Sequence, residues 1–573
     1  MNAAPAQAVE VYHRTYTTLL RSTGETRLRV LEASHRAMGS SLHPLAASPE
    51  PDLGAFLYAC RRLPEAILTT QLVVLGQSAE VFARHGLPLD GSGSPPRRWA
   101  AVDAPGRRRR WYADDGGTLA VLMASASDVD DLIPTLTAFQ IEWNKLNARL
   151  RAVPALPGDA GSCAAALGGG SDDWQQLVEL WGADFGARLD AVRTRRLSLR
   201  VRMLGGSQVG YARSTRRWWA PVLELLAREG LEGRPVHFVS SNGHSVVNLV
   251  TGTVAARADR ILAWVEGDGP RELAVELERL RAGRSAGDIN NLLYYAARLW
   301  FREHPEELPV RAAEERRHGV FHVESAAALD VAAQVIAVDR LDASRLDPRL
   351  GPVDVSALAA SRAVIVNIDY PLGLAAYTIL REVAQTVGDL QSVHILGKAA
   401  TLNAEVGDVM ISDVVHDEHS GSTFFLDNAF TVDDIAPWLR FGSGLDHQRA
   451  VTARGTFLQN RGHLDFYYRE AFTVVEMEAG AYCQAVYELS TGERYPIGEA
   501  VNFSRLPIDL GIIHYASDTP FTQARTLGAR GLSYRGMDST YASSVAILRR
   551  MLAAEGVTAR AGAEAAAAAA SIG

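Results

Sequence analysis

Between residues 9 and 85, apolar side chains recur at three- and four-residue intervals, as in Leu19, Leu20, Leu28, Val30 and Leu31 and again in Ile67, Leu68, Leu72 and Val73. That period puts one face of a helix in a core, so the spacing predicts a helical layer. From Arg107 to Ser125 the pattern shortens. A basic run, the turn formers Asp114-Asp115-Gly116-Gly117 and the apolar LAVLMAS predict a hairpin, after which the helical period returns in FQIEWNKLNARL. Residues 154–173, PALPGDAGSCAAALGGGSDD, are rich in Pro, Gly, Ala and Ser without periodicity, which predicts a linker. Beyond it, RPVHFVSSNGHSVVNLVTG reads as a buried strand, a Ser-Ser-Asn-Gly-His turn and a helix. Such a turn can cradle an anion on a helix N-terminus, and an ordinary strand-to-helix connection has the same composition.

From about residue 311 strands and helices alternate. The strand candidates are GVFHV at 319, AVIVNID at 363, SVHILG at 392, DVMISDVV at 408, FTVVEME at 472 and GIIHYASD at 511, with helical stretches such as LGLAAYTILREVAQTV between several of them. The pattern predicts an α/β domain built on a mostly parallel, helix-covered sheet, whose ligand sits beyond the carboxyl ends of the strands. The predicted organisation is a helical α+β domain over 1–153, the linker 154–173, an α/β middle unit over 174–310 of unassigned role, a catalytic domain over 311–560 and a low-complexity tail over 561–573.

The length of 573 residues requires such a division, because single cores stop growing near about 250 to 300 residues. A hydrophobic fraction of 47% and a charged fraction of 22% are those of a folded globular chain. The formal charge of -8 removes any general attraction for nucleic acid or anionic lipid. Arg107 to Arg110 beside Trp111 and Tyr112 is partly offset by Asp114 and Asp115 and reads as a solvated loop, and the tryptophans of YARSTRRWW read as core. Three distant cysteines, Cys60, Cys163 and Cys483, give no disulfide framework and no CxxC metal site. Neither a leader pattern nor an apolar run of membrane-spanning length is legible, so a cytoplasmic setting is expected. The sequence calls for no metal and no cofactor.

Polar residues at the predicted strand ends carry the chemistry. VVEMEAGAY at 474–482, HYASDTPF at 514–521, GTFLQN at 455–460, HILGKAATLNAEVGDVMISD at 394–413 and VNIDYPLG at 366–373 resemble, in order and spacing, segments of the nucleoside phosphorylase and nucleosidase superfamily, which includes purine nucleoside phosphorylases, methylthioadenosine/S-adenosylhomocysteine nucleosidases and AMP nucleosidases. The resemblance runs from Ala363 to Leu552. It implies a three-layer α/β domain with a mixed central sheet that cleaves the N-glycosidic bond of a purine nucleoside or nucleotide. Such cleavage needs a proton donor for the departing base, groups that grip the sugar hydroxyls and a nucleophile on the sugar's opposite face.

By that resemblance Met477 lines the ribose, Glu478 accepts hydrogen bonds from its hydroxyls and Glu476 is the next candidate. Asp518 is the general acid, oriented by Ser517, and Phe457 stacks on the base. Gly397 and Lys398 form the glycine turn near the sugar or phosphate, closed by Gly407 and Asp408, and Asp369 follows a strand at the site. His514 either faces the nucleophile side or fills its strand; Glu324 and Asp369 are the candidates to activate the nucleophile. Two departures matter: Gly397-Lys398-Ala399-Ala400 replaces the usual Gly-Ser-x-Gly or Gly-His-x-Gly, and Ile395 stands near the position of a phosphate-binding arginine. Water is therefore expected as nucleophile, with inorganic phosphate the alternative co-substrate and Lys398 its candidate holder. The VNI strand, Asp417-Glu418-His419 and the SDTP turn look most like AMP nucleosidase. A homo-oligomer is implied by resemblance, with a small-molecule nucleoside or nucleotide as ligand. A non-catalytic nucleotide-binding regulator is the alternative of a different class.

Overall fold

The computed structural model describes residues 4–22, 24–92, 98–106, 109–325, 328–492, 494–503, 506–518 and 534–559, excepting the side chains of residues 4–6, 518 and 535. Two sheets organise the chain. The first has six strands in the order Thr26–Arg27, Arg200–Leu204, Leu72–Gly76, Thr118–Leu122, Trp111–Asp114 and Trp99–Val102. The expected hairpin is its antiparallel pair of Trp111–Asp114 and Thr118–Leu122. Its long helix, Ala126–Ala152, begins at a capping box in which the Ser125 and Asp128 side chains satisfy each other's backbone N–H groups.

The second sheet has eleven strands and is mixed. Five of them close a circuit: Leu390–Thr401 pairs with Asp509–Asp518, which pairs with Val409–Asp417, then Gly444–Thr452, then Val474–Glu476, which returns to Leu390–Thr401. Alternation sorts their side chains. Leu510, Ile512 and Ala516 join one apolar core while Ile513 and Tyr515 join the other. Helices Gln208–Arg228, Ala375–Val387 and Ala479–Ser490 cover the first face, and Ser245–Thr251, Ala258–Gly267, Ile289–Glu303 and Tyr534–Ala554 the second. This is a three-layer α/β arrangement, with more antiparallel pairing than the mostly parallel expectation.

Three expectations are corrected. The stretch 154–173 is not a bare linker: it contains helix Ala160–Leu167 and the start of Ser171–Trp181, whose Cys163, Leu167, Trp174 and Leu177 are fully buried. Their three- and four-residue spacing was hidden among small residues. The stretch 174–310 is not a unit of its own. Arg200–Leu204 pairs in parallel with Leu72–Gly76 of the first sheet, whereas Val236–Ser241 lies between Leu390–Thr401 and Val364–Asp369 in the second, parallel to both. The expected boundary at 311 therefore cuts through the second sheet. The turn after Val236–Ser241 is an ordinary connection, because the Asn242 side chain accepts the N–H groups of His244 and Ser245 itself.

A fragment of residues 311–573 would lack a central strand of its sheet, so it is expected to show no cooperative unfolding transition, whereas a fragment of residues 205–573 retains the whole sheet. Circular dichroism during urea titration distinguishes them; cooperative unfolding of the shorter fragment would restore the boundary at 311.

Candidate active site

Strand Leu390–Thr401 carries the site's frame. Its Ala400 pairs with Val475 on one side and with Asp518 on the other, so the Glu476-Met477-Glu478 turn and the end of strand Asp509–Asp518 flank one backbone position. The register shifts between Ala399 and Ala400, and the Ser517 hydroxyl donates to the Ala399 carbonyl at 3.1 Å. Such bulges re-aim side chains at strand ends. The strands end around a cavity of about 350 Å³, within the size range of small-ligand pockets.

Six of the expected site residues line this cavity: Asp369, Lys398, Glu476, Met477, Glu478 and Ser517. Glu476 ends its strand fully enclosed, and its Oε2 accepts the N–H groups of Glu478 at 2.6 Å and Ala479 at 2.7 Å, the first free donors of helix Ala479–Ser490. Its Oε1 accepts the Thr452 hydroxyl. Burial, reinforced by the neighbouring Glu478, nevertheless pushes this carboxyl up to about 8. Glu478 is the helix N-cap residue and accepts the Gly373 N–H at 3.5 Å.

The remaining candidates fall elsewhere. Phe457 does not line the cavity; it is buried in the first core against the rings of Tyr58, His35 and His43, at centroid distances of 5.2, 5.9 and 6.2 Å. Its loop faces the N-terminal helices, which the resemblance did not cover. Gly397 lies within strand Leu390–Thr401 and forms no turn; a Cβ there would come within 2.7 Å of the His514 ring. His514 is buried behind the site, its Nε2 3.8 Å from Glu476 Oε2, and burial pushes it down to about 4, so it is neutral near pH 7 and fills its strand. Asp408 caps a loop by accepting the N–H groups of Glu405 and Ser443. Glu324 is exposed just after the edge strand Val320–Val323 and does not line the cavity. The Asp518 side chain lies outside the described residues.

The N-terminal region supplies a wall that the sequence reading missed: Arg62, Arg109, Leu122, Ala124 and Asp128 line the same cavity. Arg109 belongs to the run expected to be solvated, yet it is 6% exposed and bonds Asp128 at 2.7 Å and Asp131 at 2.6 Å. Asp128 also accepts the Ala124 and Ser125 N–H groups. The legible signal was the capping pattern of Ser125 and Asp128 ahead of an apolar run. Arg62 is buried, with its guanidinium 3.3 Å from the Tyr58 ring centroid. Among the described residues no group of three metal-ligating side chains occurs, and no helix is long and apolar enough to cross a membrane.

Residues 28–553 match the model of a family of unknown function, DUF6909. The chain belongs to this family. Among curated proteins nothing matches the DUF6909 chain. Solved structures similar to part of it include 5'-methylthioadenosine/S-adenosylhomocysteine nucleosidases from three bacteria. That of Campylobacter jejuni shows 12% identity over 42% of this chain and 93% of its own, with a TM-score of 0.28. That of Neisseria meningitidis, in complex with methylthio-immucillin-A, shows 14% over 42% and 94%, with 0.27. That of S. pneumoniae, with a transition-state inhibitor, shows 16% over 43% and 94%, with 0.26.

Two outcomes follow for this DUF6909 chain. Because Phe457 is core, Phe457→Ala should lower unfolding stability by about 3–5 kcal/mol, read by chemical denaturation, and the folded variant should keep any affinity for a ligand of the cavity; a selective loss of affinity would return the ring to the site. Folded Glu476 holds its proton up to about 8, whereas an unfolded glutamate ionises near about 4.3. Folding thus binds a proton in that window, and stability falls as pH rises through it. Glu476→Gln should remove this slope from melting temperature against pH; an unchanged slope would assign it to other groups.

Proposed function

We propose that this protein hydrolyses the N-glycosidic bond of a purine nucleoside or nucleotide. The supporting observation is that one cavity gathers Glu476, Met477, Glu478, Asp369, Lys398 and Ser517 at the edge where strand Asp509–Asp518 ends. Cleavage of that bond leaves positive charge on the sugar and negative charge on the base. In this reading Glu478 accepts ribose hydroxyls, Met477 packs on the sugar, and Glu476 holds the helix N-terminus that places them. Asp518 donates the proton to the departing base. Asp369, 4% exposed and at the cavity, activates the attacking water. Lys398 offers a point charge for an anionic part of the ligand, either a nucleotide phosphate or inorganic phosphate.

The test is to incubate the full chain with adenosine, inosine, guanosine, methylthioadenosine and AMP, with and without phosphate, and to measure free base by chromatography. Phosphate-independent release is expected, falling about 10²–10⁴-fold in kcat for Asp518→Asn and strongly in kcat/KM for Glu478→Ala. Release only with phosphate would make the enzyme a phosphorylase. Binding without release would favour a nucleotide-binding regulator.

A further inference from the structure

Asp417, His419 and Ser127 form a buried relay that joins the two sheet systems. His419 Nδ1 lies 3.0 Å from Asp417 Oδ1, and its Nε2 lies 3.2 Å from Ser127 Oγ. Asp417 is fully buried and also accepts the Ser420 hydroxyl and N–H and the Gln484 amide. Burial works against its charge, but hydrogen bonds from His419 and Ser420 prevail and hold the carboxyl below the usual carboxylate range. An ionised carboxylate only accepts, so His419 donates from Nδ1 and turns its Nε2 to the Ser127 hydroxyl.

A Ser-His-Asp line suggests a nucleophile, but the surroundings of Ser127 deny that role. The residue has no exposed surface. Its Oγ already accepts the Leu374 N–H at 2.9 Å, and Gly373 packs so closely that a Cβ on it would stand 2.3 Å from Oγ. No carbonyl carbon can approach. What the relay does hold is the turn 370–374, whose Tyr370, Pro371 and Leu372 wall the cavity.

The contacts close on themselves. Gln484 of helix Ala479–Ser490 bonds Asp417, Asp417 bonds His419, His419 bonds Ser127, and Ser127 holds Leu374 N–H. The preceding amide, Gly373 N–H, points to Glu478 Oε1 at the start of the same helix. Gly480 of that helix has no room for a side chain, since a Cβ would come within 2.6 Å of Asp417 Cβ. Helix, turn and N-terminal capping segment are thus fastened around one carboxylate.

We propose that the Ser127–His419–Asp417 relay is a positioning device through which the N-terminal region sets Glu478 against the sugar, so that preference for ribose over 2'-deoxyribose depends on a serine outside the catalytic half; this rests on the nucleosidase reading above. Ser127 and His419 are positioning residues. Their loss frees the turn and with it the carboxylate that counts sugar hydroxyls, while leaving the base-protonating group untouched.

The experiment compares kcat/KM for a ribonucleoside and its 2'-deoxy counterpart in wild type, Ser127→Ala and His419→Gln, with hydrogen exchange of the amides of residues 372–376 followed in parallel. Both variants should lower the ribose-to-deoxyribose ratio about tenfold through the ribonucleoside alone, with faster exchange at 373 and 374. A ratio and exchange equal to wild type in folded variants would overturn the proposal, as would covalent labelling of Ser127 by a fluorophosphonate. Should Ser127→Ala fail to fold, His419→Gln, which keeps a polar group towards Ser127 but loses Asp417, decides. If the wild type releases no base at all, the nucleosidase reading fails by itself, and unaltered exchange in the variants then separately refutes the tether.

Discussion

The site depends on how one buried carboxyl is satisfied. Glu476 sits where a strand ends and a helix begins, and it answers both: its oxygens take the two leading N–H groups of helix Ala479–Ser490 and the hydroxyl of Thr452 on the neighbouring strand. The same Thr452 oxygen accepts the Gly480 N–H. A helix terminus buried without such partners would leave donors unsatisfied, at about 1–3 kcal/mol each. Because these bonds fix the strand-to-helix turn, Met477 and Glu478 have little freedom in where they point. Burial and the adjacent Glu478 favour the neutral acid, whereas the helix donors favour the carboxylate; burial prevails near neutral pH. The geometry of Met477 and Glu478 is thereby fixed without placing two full negative charges side by side.

Much of this was legible in the sequence where local pattern and tertiary role coincide. Strands such as Val364–Asp369 and Asp509–Asp518 are apolar runs ending in polar residues, and the sheet places those ends at one cavity. The Glu-Met-Glu motif could be placed at a strand-to-helix turn because a strand, a turn and a helix start are encoded within the nine residues of VVEMEAGAY. Where the fold draws on distant pairing, the sequence was silent. Nothing in RPVHFVSS distinguishes a strand of a separate unit from one inserted between partners that follow it by more than 120 residues, as the pairs Val364 to Val236 and Val393 to Phe238 require. Phe457 was misplaced for the same reason. An apolar ring in a loop packs on whatever surface the rest of the chain brings to it, and here that surface is Tyr58, His35 and His43.

The N-terminal region consequently cannot be an appendage to a self-sufficient C-terminal half. It shares a hydrophobic core with Phe457 and Leu458, supplies one wall of the cavity through Arg109, Leu122, Ala124 and Asp128, and reaches the turn beside Glu478 through Ser127. Long-range contacts of this kind form late and slow folding, because the loop entropy must be lost before they reward the chain. They also ensure that the cavity is complete only when both sheet systems have docked.

Stability alone does not account for that wall. Enclosing Arg109 between Asp128 and Asp131 removes three charges from water, and buried ion networks of this kind are commonly no more stabilising than apolar side chains of the same volume. What the network does provide is fixed orientation. Asp128 is gripped by Arg109 and by the Ala124 and Ser125 amides, which locks the first turn of helix Ala126–Ala152 and leaves Ser127 in one place. A hydrophobic wall would seal the cavity equally well, but it would not hold a hydroxyl in register with His419 and Leu374. The costly polar network on one side of the cavity and the inexpensive helix cap at Glu476 on the other therefore serve the same end, the placement of Glu478.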